Sequence, residues 1–195
     1  WQGRTLLYSI VHDITSRKRA EAELERMAHY DALTGLPNRL LLSDRLHQAM
    51  NRIHRHGDML AVVYLDLDGF KAINDAHGHL IGDRVLCQIA RILSTRTRAT
   101  DIVTRYGGEE FAITLPDSEL PETLRVAENL RASIGQLNMR RTDTGADLGR
   151  VTASFGVTVR RSGETAHDLI ARADDALYQA KKKGRNCVEV ANVVV

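Results

Sequence analysis

Cysteine is scarce: the 195 residues contain only Cys87 and Cys187. That pair gives no disulfide framework, so a reducing compartment is the default. Long hydrophobic runs are also missing. The longest, residues 59–65, is far too short to span a bilayer, and no signal-peptide pattern is present. Charge of one sign is not in excess either. A formal net charge of +2 is too small to argue for nucleic acid or an anionic membrane surface. There is no internal repeat and no low-complexity tract. What remains is 43% apolar and 27% charged residues, ordinary for a globular protein. The length fits one full domain with a sizeable core plus a short extra piece. The chain opens on Trp1 rather than Met, as an excised piece of a longer protein would. A sensor or membrane anchor outside it is therefore expected.

Residues 5–14 read as a strand. A lone strand is no domain, so it is expected to be the last strand of a preceding one. Thr15 or Ser16 can cap a helix that runs to about His29. Ala20, Leu24, Met27 and Ala28 form one narrow apolar stripe on it, with Arg17, Lys18, Arg19, Glu21, Glu23, Glu25 and Arg26 around it. Such a helix suits a short parallel coiled coil or packs on its own domain. Gly35 and Pro37 break the chain, and Asn38 can cap a second helix to about His54. Asp31 and Arg39 are placed to pair across that turn, which reads as structural.

Residues 59–65 are a buried strand ending in Asp66-Leu67-Asp68, which puts two carboxylates at i and i+2 on one face. A short helix over residues 70–76 and a second over residues 81–93 follow. Arg105-Tyr106-Gly107-Gly108-Glu109-Glu110-Phe111 lies between apolar runs at 102–103 and 111–115. It reads as a hairpin with a tight glycine turn. No Cβ intervenes at Gly107 and Gly108, so a backbone or ligand can come close. The two adjacent carboxylates offer hard oxygens to a divalent cation. Taken by itself, the stretch reads more readily as a solvent-exposed hairpin tip.

A helix with Pro121 in its first turn carries Leu124, Ala127, Leu130, Ile134 and Leu137 on one face. Residues 138–150 read as a loop or hairpin. Residues 151–160 alternate strictly and predict a half-buried strand. Leu169, Ala173, Leu177 and Ala180 mark a last helix stopped by Gly184, and residues 187–190 a final strand. The sum is an α+β fold, a central, mixed, largely antiparallel sheet flanked by helices, with an N-terminal linker helix.

Three segments, "DLDGFKAINDAHGHLIGD", "RYGGEEF" and "ADDALYQAKKKGRN", together with the opening "DALTGLPNR", resemble the GGDEF family of diguanylate cyclases. The resemblance covers about residues 29–190. Residues 1–28 resemble the end of a PAS sensor domain with its coiled-coil linker, through "VHDITSRKRAEAELE", and 191–195 are left as a tail. The resemblance implies a fold similar to the palm of nucleotide cyclases and polymerases. It implies condensation of two GTP into cyclic di-GMP with release of pyrophosphate. The implied cofactor is Mg²⁺, with Mn²⁺ as an alternative.

By the same resemblance, Asp66, Glu109 and the Leu67 carbonyl hold metal, and Glu110 is the base that accepts the 3′-hydroxyl proton. Glu110 as a residue that merely shapes the loop or assists the metal is the alternative. Asn74 and Asp83 are the implied guanine contacts. The backbone N–H groups of Phe70 and Lys71, the Gly107–Gly108 turn, and Lys181 and Arg185 are the implied phosphate and substrate contacts. Lys182 and Lys183 read as cations suited to a helix C-terminus. Asp68 shares the face of Asp66 and is a candidate support of the metal site, its role left open. Arg98 and Asp101 match an inhibitory product site, with Arg131 as a partner arginine. His54, His56, His77 and His79 fit no metal motif and are expected to be structural or surface residues.

Two departures from the family pattern stand out. Glu109 replaces the Asp of the family name and keeps the carboxylate. Gly69 stands where a larger residue is frequent. The implied partners are GTP, cyclic di-GMP, a second copy of the chain and an upstream sensor, with no nucleic acid and no membrane contact by this stretch. The implied location is cytoplasmic, with a membrane anchor elsewhere in the full protein as the alternative left open. The competing functions are a non-catalytic module that binds GTP or cyclic di-GMP, and a purely structural dimerisation module.

Overall fold

The computed structural model describes residues 13–56, 59–140 and 147–191. The expected strand over 5–14 lies outside the described residues except for its last two, as do residues 192–195 and the side chains of His54 and His56. The elements in order are α1 (Thr15–His29), α2 (Arg39–His56), β1 (Leu60–Leu67), α3 (Phe70–His77), α4 (His79–Arg96), β2 (Ile102–Arg105) and β3 (Glu110–Pro116). They continue with α5 (Leu120–Gly135), β4 (Asn138–Arg140), β5 (Asp147–Arg150), β6 (Ala153–Val159), α6 (Ala166–Lys182) and β7 (Val188–Val190). Five strands form one sheet in the order β2-β3-β1-β6-β7. Every pairing is antiparallel except β6 with β7. The expected mixed, largely antiparallel sheet is therefore present, and 138–150 holds a two-stranded antiparallel hairpin, β4 with β5.

The central strand β1 is buried along its whole length because both faces are covered. Ala61, Val63, Leu65 and Leu67 pack with Val85, Ile89 and Leu93 of α4 and Leu130 and Ile134 of α5. Leu60, Val62 and Tyr64 pack with Leu42, Leu46 and Met50 of α2 and Leu169, Ala173 and Leu177 of α6. The helical stripes legible in the sequence are the ones that fill these layers. Among the described residues, no helix is long and apolar enough to cross a membrane.

Three local expectations need correction. First, β6 is buried on both faces rather than one. Its alternating partners are small. Ser154 hydrogen-bonds internally, and a Cβ at Gly156 would land on the backbone of Ala173 and Leu177. Helix α6 therefore lies directly on this strand. Second, α1 is not capped by a Thr15 or Ser16 side chain. The Asp13 carboxylate accepts the free N–H of Thr15 at 2.9 Å. Third, Asp31 pairs not with Arg39 but with Arg105, 74 positions away, at 3.0 Å. Arg39 instead lies over the Tyr106 ring, 4.8 Å from its centroid.

Helix α6 carries a cap that the periodicity had not suggested. Thr165 and Asp168 exchange side-chain and backbone hydrogen bonds, a capping box that fixes where the helix starts. Its other end delivers Lys181 to the C-terminal end of β1.

Candidate active site

The site forms where β1 ends beside the β2–β3 hairpin. Asp66 is directly opposite Glu110 on β3 and Ser154 on β6, so these three side chains share one face of the sheet. That face lies under α2 and α6. Asp66 is 6% exposed, and Lys181 reaches it from α6 with Nζ 2.9 Å from Oδ1. The backbone N–H of Leu67 donates to the Glu109 carbonyl at 3.3 Å, which ties the strand end to the Gly-Gly turn.

The turn is held from outside. Arg105 donates through Nε and Nη2 to the Gly108 carbonyl at 3.2 and 2.7 Å, and through Nη1 to both Asp31 oxygens at 3.0 and 3.1 Å. Its backbone N–H donates to the Pro37 carbonyl at 3.0 Å. The Glu110 carboxylate folds back over Gly107, where a Cβ would stand 2.5 Å from Oε2. A side chain at 107 would push that carboxylate away.

Asp68, the candidate support of the metal site whose role the sequence leaves open, is engaged by three donors. It accepts from Thr152 Oγ1 at 2.8 Å, Ser154 Oγ at 2.6 Å and the Asn186 N–H at 3.0 Å. It braces β1 against β6 and against the turn after α6. Arg131 donates through Nη1 to Asn186 Oδ1 at 3.0 Å and through Nε to Glu128 at 2.7 Å. Arg98 pairs with Glu122, and its backbone N–H donates to Asp101 Oδ2 at 2.7 Å. The three residues assigned to an inhibitory site are thus engaged in two separate places, with Arg98 and Asp101 together just before β2. The other Asp101 oxygen is buried without a hydrogen-bond partner.

Two further pieces flank the acids. Helix α3 opens with Phe70 and Lys71 immediately after Gly69, which takes a left-handed φ of 69° that a larger residue adopts only with strain. The first amides of a helix have no intrahelical acceptor. Asn74 lies against Gly82 so closely that a Cβ there would overlap its Oδ1, an oxygen that is buried and unpartnered. Asp83 follows Gly82 and is exposed. Asn74 and Asp83 are therefore neighbours across the α3–α4 junction, the Asp83 side chain exposed and the Asn74 oxygen buried against Gly82.

The acids perturb one another. Burial pushes the Asp66 carboxyl up, Lys181 pulls it back, and Asp68 adds a further upward push. Glu109 is raised by burial and then by the charge of Asp66. Glu110 is raised by burial, by Asp66 and by Asp174 of α6, while Lys181 and the nearby Tyr64 hydroxyl oppose the rise. Burial, then the charge of Glu110, push the Tyr64 phenol far up, so it stays protonated. Tyr64 and Asp174 were missed by the sequence reading. Each had a signal, since Tyr64 is two residues before Asp66 on the same strand face and Asp174 is two helical turns before Lys181.

Three carboxylates whose pKa values are raised, gathered around one lysine, are short of positive charge, which a divalent cation would supply. The donors fit a divalent cation that shares its shell with substrate and water better than a caged ion. Among the described residues, no group of three His, Cys, Asp or Glu side chains is arranged to hold a metal. Mg²⁺ characteristically takes one or two carboxylates and completes its shell with phosphate oxygens and water.

Comparison with known proteins agrees with this geometry. Residues 28–187 match the family model described as diguanylate cyclase, GGDEF domain. Diguanylate cyclase DgcM of Escherichia coli is 41% identical over 189 residues, covering 97% of this chain and 45% of that protein. Diguanylate cyclase DgcP of Pseudomonas aeruginosa is 45% identical over 161 residues, covering 83% and 24%. The chain thus spans less than half the length of these relatives. Among solved structures, the coiled coil and GGDEF domain of DgcB from Caulobacter crescentus, in complex with c-di-GMP, superposes with a TM-score of 0.89. The two are 32% identical, with 92% of this chain and 94% of that one covered. The active GGEEF domain of a diguanylate cyclase from Vibrio cholerae gives 0.74 at 30% identity, with 80% and 97% covered. With four-fifths of its length under the family model and the acids of its hairpin gathered at the end of β1, the chain belongs to the GGDEF family of diguanylate cyclase domains.

Proposed function

We propose that this chain is the catalytic part of a diguanylate cyclase that joins two GTP into cyclic di-GMP. The observation that carries the reading is the convergence of Asp66, Glu109 and Glu110 against Lys181 at one end of β1. Asp66, Glu109 and the Leu67 carbonyl would hold Mg²⁺, which, when bound, neutralises charge on the triphosphate oxygens and the leaving pyrophosphate. Lys181, Arg185 and the first amides of α3 grip the phosphates. The Asp83 carboxylate suits the N1–H and N2–H₂ edge of guanine, and the Asn74 amide an adjacent group.

Glu110 accepts the proton of the attacking 3′-hydroxyl. The 3′-oxygen bonds to the α-phosphorus of the second nucleotide, and the bond from that phosphorus to pyrophosphate breaks. The step occurs twice per product. One site holds one GTP, so two copies must face each other. α1 fits the role of the dimerising connection to an upstream sensor, and Arg98 with Asp101 the role of a product-inhibition site. A GTP substrate fits a cytoplasmic location.

The test is chromatography of GTP turnover with Mg²⁺ on a dimeric preparation. Replacing Glu110 by Gln is expected to lower kcat about a hundredfold or more, with GTP binding kept. A variant as fast as the parent removes Glu110 from the chemistry. Tight binding of GTP or cyclic di-GMP by a parent without turnover favours the non-catalytic module.

A further inference from the structure

We infer that Asp68 is a positioning residue for Arg185, acting through the turn after α6 and sharing that task with Arg131. The inference rests on the phosphate contact proposed above for Arg185 and adds the device that holds it.

The Arg185 side chain is exposed, so its place is set first by its backbone. Helix α6 closes around a glycine: Gly184 takes a φ of 111°, and the Arg185 N–H donates back to the Ala180 carbonyl at 3.1 Å. The two residues that follow depart from a simple helix end. Arg185 and Asn186 have φ of 66° and 47°, the left-handed region that residues other than glycine enter at a cost. Such a run persists only where its surroundings fix it.

Two side chains do the fixing, and both act on Asn186. Asp68 Oδ2 accepts the Asn186 N–H at 3.0 Å. Arg131, from α5, donates through Nη1 to the Asn186 carbonyl at 3.3 Å and to its Oδ1 at 3.0 Å. Asn186 is thus held by its N–H, its carbonyl and its side chain at once. Asp68 is a firm anchor for this. Its own N–H donates to the Thr152 carbonyl at 2.9 Å, and its carboxylate also accepts from the Thr152 and Ser154 hydroxyls. Both of its oxygens therefore face protein donors. The two acids at the end of β1 divide the work. Asp66 meets the side chain of Lys181 at 2.9 Å, while Asp68 holds the backbone one residue beyond Arg185. Both cations proposed to grip the phosphates are referenced in this way to the same strand end.

The test compares Asp68→Ala, Asp68→Asn and Arg131→Leu with the parent, and Asp68→Ala in an Arg185→Ala background. Affinity for α,β-methylene GTP with Mg²⁺, KM, kcat, the Mg²⁺ concentration for half-maximal turnover and the melting temperature are measured for each. Asn removes the charge but keeps one oxygen for Thr152 and Asn186, with its NH₂ turned to the Ser154 hydroxyl. We expect Asp68→Ala to weaken analogue binding and raise KM about tenfold, with the Mg²⁺ requirement unchanged. Asp68→Asn should recover most of that loss. Arg131→Leu should reproduce part of it, which keeps the inference testable if Asp68→Ala does not fold. In the Arg185→Ala background, Asp68→Ala should weaken binding no further. A lower melting temperature with analogue affinity kept overturns the inference, since a purely structural brace gives that. So does an equal loss in both backgrounds, which would mean that Asp68 acts elsewhere. An Asp68→Asn variant as poor as Asp68→Ala, with a raised Mg²⁺ requirement, would assign Asp68 to the metal instead. If Arg185→Ala itself binds the analogue as the parent does, the phosphate role of Arg185 fails first and the inference falls with it.

Discussion

Asp31 carries more than its place in a surface turn would suggest. It accepts from the Thr34 N–H at 2.8 Å and hydroxyl at 2.6 Å, and from Arg105 at 3.0 Å. Burial alone would raise its carboxyl, but Thr34 and Arg105 outweigh burial and hold it below its ordinary 3.8. A depressed carboxylate stabilises the fold fully above its unfolded value and loses that contribution as pH falls through the folded one. Glu164 acts in the same direction, since burial is outweighed by Arg172, which donates at 2.5 and 2.8 Å. Asp31→Asn is therefore expected to cost about 1–2 kcal/mol at pH 7, with the gap to the parent closing below about pH 3.8. Melting curves from pH 7 into the acid range check both halves; a gap that does not narrow at all as pH falls below 3.8 refutes the linkage. Local spacing alone offered Arg39 as the partner of Asp31. A partner 74 positions away becomes visible only once β2 lies beside the corner. Asp68 was opaque for a similar reason, because its three donors come from β6 and the turn after α6. The metal-type acids were legible because strand end and glycine turn are local signals.

At the scale of elements, the contact between α6 and β6 sets the site. Gly156 lets the helix backbone approach the strand, and Lys181 stands at the far end of that helix. An added methyl group at 156 meets the backbone of Ala173 and Leu177 rather than a side chain that could swing away. Gly156→Ala is expected to destabilise by about 1–3 kcal/mol. It should also weaken binding of a Mg–GTP analogue, because α6 must lift and carry Lys181 from Asp66. Thermal unfolding and titration calorimetry measure the two effects; a stable variant with full affinity shows that the approach is not limiting. The alternation in residues 151–160 signalled a strand but hid its second buried face. Serine, threonine and glycine count as polar in a pattern, yet they are small enough to sit beneath a helix when their hydroxyls are hydrogen-bonded. The apolar stripes of α2, α4, α5 and α6 were legible because long aliphatic side chains recur on one helical face.

At the scale of the whole molecule, the proposed joining of two GTP poses a demand that one copy would not meet, and α1 offers a means of meeting it. Leu24 and Met27 are 66% and 67% exposed and three residues apart on the helix, hence on one side. Ion pairs Arg17–Glu21 and Arg26–Glu23, both at 2.7 Å, run along α1. They are solvent-exposed, contribute little to stability and leave the apolar pair to gain by association. A helix of 15 residues is marginal without a partner, and a second α1 packed in parallel would bury the pair while bringing two sites toward each other. Leu24→Glu combined with Met27→Glu keeps good helix formers but places like charges at the seam. The double variant is expected to sediment as a monomer where the parent is a dimer. At low micromolar concentration its turnover per chain should fall tenfold or more, then recover partly as concentration rises, because the two half-sites can still meet by collision. Turnover that stays linear in concentration for both proteins, with sedimentation unchanged, would remove α1 from assembly. Turnover lost at every concentration, with the monomer still folded and binding nucleotide, would mean that α1 does more than raise local concentration. It would then have to set the angle at which the two sites face each other.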